Sequence, residues 1–303
     1  MTETELDKEE LKHLLKKKQK NLVELEKIGK NSNYIKELSD IALIQLQLEH
    51  YTDSEKNYLN CLKHFEKQKD RLGQASVYGI LGVLFYKKGV YLKSIKFYED
   101  AYNIYDDLIQ TQEKITCLIG IGNNLIKLNK LDEACEVFLD CSAICSDNND
   151  IYNLLDCLGN LIYIYEQIEN WDIILELYKK TLKAFNELKD SKGIITSYFN
   201  LGILEKKRNN LGESLQYFKK GTNKAIDSNY AALIIKGLGY VGEILFYLGK
   251  IKKAKNQFIK ALHIANKINA ENAKLQLRIL LNSLGLQDKQ IADELKIYKE
   301  NRK

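Results

Sequence analysis

The feature that most constrains this chain is a repeat: the same kinds of residue return every 40 positions, over roughly residues 35 to 268. With residue 42 as position 8 of the first unit, that position reads Ala42, Gly82, Gly122, Ile162, Gly202 and Gly242, small in five of six units. Position 7 reads Ile41, Leu81, Ile121, Leu161, Leu201 and Val241, all aliphatic. Position 24 is aromatic throughout (Tyr58, Tyr98, Phe138, Tyr178, Phe218, Phe258), and position 27 is small throughout (Cys61, Ala101, Cys141, Thr181, Gly221, Ala261). Position 17 is always large and apolar (Tyr51, Tyr91, Leu131, Trp171, Leu211, Ile251). A small column beside an aromatic one is what close helix packing needs. The small side chain lets two axes approach to about 8 Å, and the ring fills the space beside the contact.

Inside a unit the spacing is helical. Tyr78, Leu81, Gly82 and Phe85 stand at i, i+3, i+4 and i+7, and Tyr91, Ser94, Tyr98 and Ala101 form a second such stripe after a tight turn at Gly89. Neither helix can bury its stripe alone, so the units must stack. No stretch alternates with the period of two that a strand requires. The organisation read from the register is an N-terminal capping helix over 1–32, carrying Leu6, Leu11, Leu14, Leu15, Leu22, Leu25 and Ile28. Six units follow over 33–70, 71–110, 111–150, 151–190, 191–230 and 231–268, then a C-terminal capping helix pair over 269–303. Asp70, Asp150 and Asp190 share one register, where a carboxylate can cap the next helix.

These columns resemble the tetratricopeptide repeat (TPR) family. The family's Leu-Gly, small, aromatic and small positions appear as Leu81-Gly82, Ser94, Tyr98 and Ala101, and again as Val241-Gly242, Ala254, Phe258 and Ala261. Two departures stand out: the familiar period is about 34 residues, and the proline that usually closes a unit is missing, since the chain has none. The resemblance implies an all-α fold, a right-handed superhelical solenoid of stacked antiparallel helix pairs. The longer units are similar to those of bacterial peptide-pheromone receptors and of animal spindle-orientation and kinesin light-chain adaptors.

Composition excludes several classes. A net charge of +5 from 46 basic and 41 acidic residues is too small to argue for nucleic acid. No run approaches 18 apolar residues, and the opening MTETELDKEE is acidic where a leader would be basic and then apolar, so no membrane insertion and a cytoplasmic location are expected. The six cysteines follow the repeat, Cys61 and Cys141 at position 27, Cys117 and Cys157 at position 3, which reads as small hydrophobes in a reduced compartment. The alternative is a metal or redox site from Cys135, Cys141 and Cys145, but no histidine lies near them in sequence and there is no Cys-x-x-Cys. No metal and no cofactor are expected. The four histidines, His13, His50, His64 and His263, fall in unrelated registers and read as ordinary surface residues. Gly120-x-Gly122 follows no strand and sits on a packing column, so it is no phosphate loop. The expectation is a protein that is not an enzyme.

In TPR solenoids, the side of the first helix that faces away from its partner lines the concave surface. Here that side carries Tyr163, Phe199, Ile203, Tyr240 and Phe246 with Asn123, Asn160 and Asn200 among them, and these eight residues are the candidate peptide-binding set. Exposed apolar stripes usually mark partner sites, and a carboxamide can both donate to and accept from a peptide backbone. Partial self-burial in a tightly wound superhelix is the competing arrangement. The outward face of the second helix, with Lys93, Lys96, Glu99 and Asp100, reads as solvated surface, and Lys16-Lys17-Lys18 as solvated charge. The function expected is a non-enzymatic scaffold or adaptor that binds a peptide segment of a partner protein. The alternative is an intracellular receptor or regulator for a small signalling peptide, lacking a DNA-binding domain because the repeats begin near Asn33.

Overall fold

The computed structural model describes residues 8–300 and shows fifteen α-helices, with no strand among the described residues. They are α1 (Lys8–Ile28), α2 (Ser32–Gln47), α3 (Tyr51–Gln68), α4 (Arg71–Lys87), α5 (Tyr91–Asp107), α6 (Thr111–Lys127), α7 (Leu131–Asp147), α8 (Ile151–Gln167), α9 (Trp171–Glu187), α10 (Ser191–Lys207), α11 (Leu211–Asp227), α12 (Ala231–Tyr247), α13 (Ile251–Lys267), α14 (Glu271–Ser283) and α15 (Asp288–Glu300). Consecutive helices pack on one another from α1 to α7 and from α9 to α15, and packing divides the chain into two compact units, Met1–Cys157 and Leu158–Lys303. Leu6 and the other residues of 1–7 lie outside the described residues.

The joints explain how a chain without proline stops its helices so regularly. Every twentieth residue from Glu49 to Asn269 has positive φ. At Gly89 the amide donates to the Tyr86 carbonyl at 3.0 Å, and the next amide, of Val90, reaches back to Phe85 at 2.9 Å. This pair of bonds satisfies the last carbonyls of the helix through one left-handed residue. The residue after it is already the N-cap of the next helix. Asp70 accepts from the Gly73 amide at 2.9 Å, Asp150 from Asn153 at 3.2 Å and Asp190 from Lys192 at 3.0 Å, as their shared register predicts. A single left-handed residue thus ends each helix where other repeats use proline.

The core is made where the small and aromatic columns meet. A Cβ on Gly82 would stand 2.9 Å from the Tyr98 ring, on Gly122 2.6 Å from Phe138, on Gly202 2.7 Å from Phe218 and on Gly242 2.4 Å from Phe258. Position 20 adds a polar clasp: the hydroxyls of Ser54, Ser94 and Ser214, all fully buried, each donate at 2.7 Å to the carbonyl of Ala42, Gly82 or Gly202 on the partner helix. In the unit built on α8 and α9, both small columns carry isoleucine (Ile162, Ile174), and the aromatic residue Tyr178 is only half-buried, whereas Tyr58, Phe138, Phe218 and Phe258 are fully enclosed.

Amphipathic helices lie at both ends of the described residues. In the N-terminal unit α1 lays Leu11 and Leu15 on Ile41, Ile44 and Leu48. Its Lys18 is not solvated surface: it is tied to Glu37 at 3.1 Å and Asp40 at 2.8 Å on α2. In the C-terminal unit α14 and α15 close the core with Leu277, Leu281 and Ile291. His263, expected at the surface, is buried there, its ring edge-on to Tyr298 at 5.2 Å, because α15 folds over the end of α13. No helix among the described residues is long and apolar enough to cross a membrane.

Candidate functional site

The first helices of the C-terminal unit carry seven of the eight candidate binding residues, while Asn123 lies half-buried on α6 of the N-terminal unit. The structure sorts the seven. Tyr163 on α8 and Phe246 on α12 are exposed, at 47% and 41% of their surface. Beside Phe246 stands Tyr247, 53% exposed, with ring centroids 6.0 Å apart. Asn160, Asn200, Ile203 and Tyr240 are half-buried.

Phe199 departs from expectation: it is 2% exposed and belongs to the core. Its ring fills space left by two glycines, since a Cβ on Gly221 or Gly237 would meet it at 2.7 or 2.9 Å. It packs against Phe218 at 6.3 Å and edge-on against Tyr240 at 5.5 Å. Phe199 therefore offers nothing to an external ligand and instead holds Tyr240 in place. Tyr240 in turn stacks on Phe218 at 4.6 Å, so only the far side of its ring is available.

Tyr240 forms part of a groove of about 520 Å³ between α12 and α14, a volume in the usual range for ligand clefts. Ile235, Leu277 and Leu280 give it an apolar floor, and Lys236, Glu243 and Gln276 supply polar groups along it. None of the α14 residues stood in the sequence-derived set; the signal for them was the first-helix pattern that persists over 271–284 after the repeat decays. Lys206 Nζ holds Glu243 Oε1 at 2.6 Å and lies 5.2 Å from the Tyr247 ring centre, which ties α10 to α12 along this face. Asn200 and Ile203 line a second recess with Glu166, Tyr178 and Lys207, but at about 30 Å³ it has room for little more than one water. The first helices of the N-terminal unit also show apolar residues outward, Leu43 at 44% and Val83 at 37% exposure. By contrast, the outward side of α5 carries polar pairs such as Lys96 with Asp100 at 2.9 Å.

The cysteines gather differently from the set weighed in the sequence. Cys135 is half-buried on α7, and its place is taken by Cys157. The sulfurs of Cys141 and Cys145 on α7 and Cys157 on α8 lie within 4.8 Å of one another, all fully buried. Cys141 is pushed well above the ordinary thiol range, first by its hydrogen bond with the Cys157 sulfur and then by burial. The same bond holds Cys157 below that range against the opposing effect of desolvation.

Helix pairs whose small column receives the aromatic of the partner helix make this chain a TPR-like helical-repeat protein, with an apolar-floored groove on its first helices. Known proteins agree on the fold. No family model matches the sequence. Over 131 residues the chain is 25% identical to the regulatory protein RapD of Bacillus subtilis, a stretch that is 43% of this chain and 37% of RapD, little more than a third of that relative. Among solved structures, the STAND signal-transduction ATPase with a tetratricopeptide repeat sensor from Pyrococcus horikoshii aligns with a TM-score of 0.59 at 15% identity, over 94% of this chain and 43% of its own. Aspartyl phosphate phosphatase F of Bacillus subtilis aligns with a TM-score of 0.54 at 11% identity, over 84% and 71%.

Proposed function

We propose that this protein is a non-enzymatic adaptor that binds a segment of a partner protein along its first helices. The observation that carries this reading is the groove between α12 and α14, with its apolar floor and flanking polar groups, beside the exposed rings of Phe246 and Tyr247. Rings left this open on a helix face are only partly used by the fold, and aromatic side chains of this kind are the usual anchors of protein interfaces. Lys236, Glu243 and Gln276 supply hydrogen-bonding groups for a backbone or for a side chain of either charge. Neighbouring helices about 10 Å apart match about three residues of an extended chain.

A second reading is favoured by the similarity to RapD, a regulatory protein. In it the same groove takes a small signalling peptide, and occupancy shifts the packing of α14 on α12. Both readings place the ligand on the same residues and differ in what the ligand is.

The test works without naming the partner. The immobilised protein is used to select from a displayed random-peptide library, and each enriched peptide is then measured against wild type and against Phe246→Ser and Leu280→Arg. Peptides that bind wild type and lose at least tenfold in both variants support the groove. Enriched peptides that bind all three proteins alike, or no enrichment over an uncoated surface, refute it.

A further inference from the structure

The three-cysteine cluster recurs nowhere else in the repeat, although its geometry does. The trio occupies positions 27 and 31 of one unit and position 3 of the next, and the equivalent trios are Cys61, Phe65 and Val77; Ala101, Tyr105 and Cys117; Thr181, Phe185 and Ser197; Gly221, Ala225 and Gly237; and Ala261, Ala265 and Leu277. The fold needs only small or apolar residues at this junction. Only between α7 and α8 do all three positions supply a sulfur.

We propose that Cys141, Cys145 and Cys157 form a three-thiolate site for a trivalent thiophilic metalloid of the arsenic(III) and antimony(III) class. Three observations select this class. The first is number: among the described residues no histidine, carboxylate or fourth cysteine joins the three sulfurs within 4.8 Å, whereas a structural zinc takes four ligands. The second is geometry. A trivalent centre of this class keeps a lone pair and is pyramidal, with angles of about 100°, so at a metal–thiolate bond of about 2.3 Å its sulfurs stand about 3.5 Å apart, and sulfurs already within 4.8 Å close by about 1.3 Å at most. The third is charge. The trio is fully buried, and the charged groups that act on it, Asp150 and Asp156, are acidic. Three thiolates around a divalent ion leave a net negative charge in an apolar interior beside carboxylates, which is costly. Around a trivalent centre the sum is zero.

The exchange balances without an oxidant. Arsenous acid, As(OH)₃, is neutral in water near pH 7. Each As–O bond is replaced by an As–S bond, each departing hydroxide leaves as water with one thiol proton, and arsenic stays trivalent while three waters are released. The product staples α7 to the start of α8 and carries no charge.

The repeat supplies variants suited to testing this. Cys145→Ala puts at position 31 the residue that Ala225 and Ala265 place there, and Cys157→Ser reproduces Ser197. The reduced full-length protein is incubated with arsenite to equilibrium, and a second sample is refolded from urea in its presence; after desalting, arsenic per chain and the near-ultraviolet thiolate-to-arsenic absorption are measured. One arsenic per chain is expected for wild type and for Cys117→Ala, a buried cysteine outside the trio, with at least a hundredfold weaker retention in Cys145→Ala and Cys157→Ser. Far-ultraviolet circular dichroism and a urea titration confirm that each variant is folded. No uptake by either route, or equal retention in the trio variants, overturns the site, and displacement of arsenite by equimolar Zn²⁺ or Cd²⁺ overturns the trivalent class.

Discussion

Ile109 is the residue whose replacement should most clearly reveal how the joints work. It occupies the left-handed position between α5 and α6 at φ 57°, where a β-branched side chain is least at home. For an L-residue this conformation costs about 1–2 kcal/mol. The side chain returns little in compensation, because it is 84% exposed. The bonds that close the joint, from the Ile109 amide to Asp106 at 3.0 Å and from Gln110 to Tyr105 at 2.8 Å, are backbone bonds that any residue can make. Ile109→Asn, which installs the residue already present at Asn129, Asn149, Asn209, Asn229 and Asn269, should therefore stabilise the joint by about 1 kcal/mol. Ile109→Gly should gain somewhat less, because glycine adds about 0.5–1 kcal/mol of freedom to the unfolded chain. In a stacked repeat unfolding is not all-or-none, so the assay is native-state hydrogen exchange at the ends of α5 and α6, with a urea titration beside it. About fivefold slower exchange at those amides corresponds to the expected gain. The reverse change, Asn129→Ile, should speed exchange around its own joint by a similar factor. If both Ile109 variants exchange as fast as wild type or faster, the joints do not limit local stability and the account of how these helices end is wrong.

Three further changes probe the core and the site. Tyr58→Phe removes a fully buried hydroxyl that meets no hydrogen-bond partner among the described residues, in a column where Phe138, Phe218 and Phe258 already stand; a rise in the urea midpoint worth about 1 kcal/mol is expected, and a clear fall would show that the hydroxyl is satisfied. Phe199→Ala should cost about 3–5 kcal/mol of stability in the same titration, whereas a cost below about 0.5 kcal/mol, typical of an exposed position, would put the ring back on the open face. For a peptide obtained by library selection, the Asn160→Ala and Asn200→Ala changes should each weaken binding by about 1 kcal/mol in fluorescence anisotropy if the carboxamides hold its backbone, and Tyr163→Ala by more; wild-type affinity in all three would confine the ligand to the α12 and α14 groove.

The sequence makes the stacking legible because each small position faces its aromatic partner once per unit, so Gly82 with Tyr98 and Gly242 with Phe258 can be paired by spacing alone. Asp70, Asp150 and Asp190 are equally readable, since a cap depends only on its own neighbours. What spacing cannot show is where a side chain goes when two columns change together. Phe199 is the one large ring in a position otherwise filled by Ser39, Gly79, Ile119, Gly159 and Gly239, and it turns inward because Gly221 and Gly237 vacate the space for it. That pair of glycines on the two following helices was the available signal. The cysteine trio was hidden for a related reason: Cys141 and Cys145 are one turn apart, but Cys157 joins them only across the joint between α7 and α8, while Cys135, nearer in sequence, lies outside the trio. His263 was misplaced because α15 belongs to no repeat, so no column announces that it will cover α13.

The joints leave this architecture almost no slack. One residue ends a helix and the next begins another, so between Tyr51 and Lys267 no connecting segment is long enough to be lengthened without consequence. A single inserted residue turns everything downstream in its helix by about 100°, carrying the glycine away from its aromatic. Length can change only by whole helix pairs, the unit in which both columns are restored. A lineage of such proteins would therefore diversify by duplicating or losing blocks of 40 residues and by repainting side chains on existing helices. Surface loops, where most folds try out new chemistry, are closed to it.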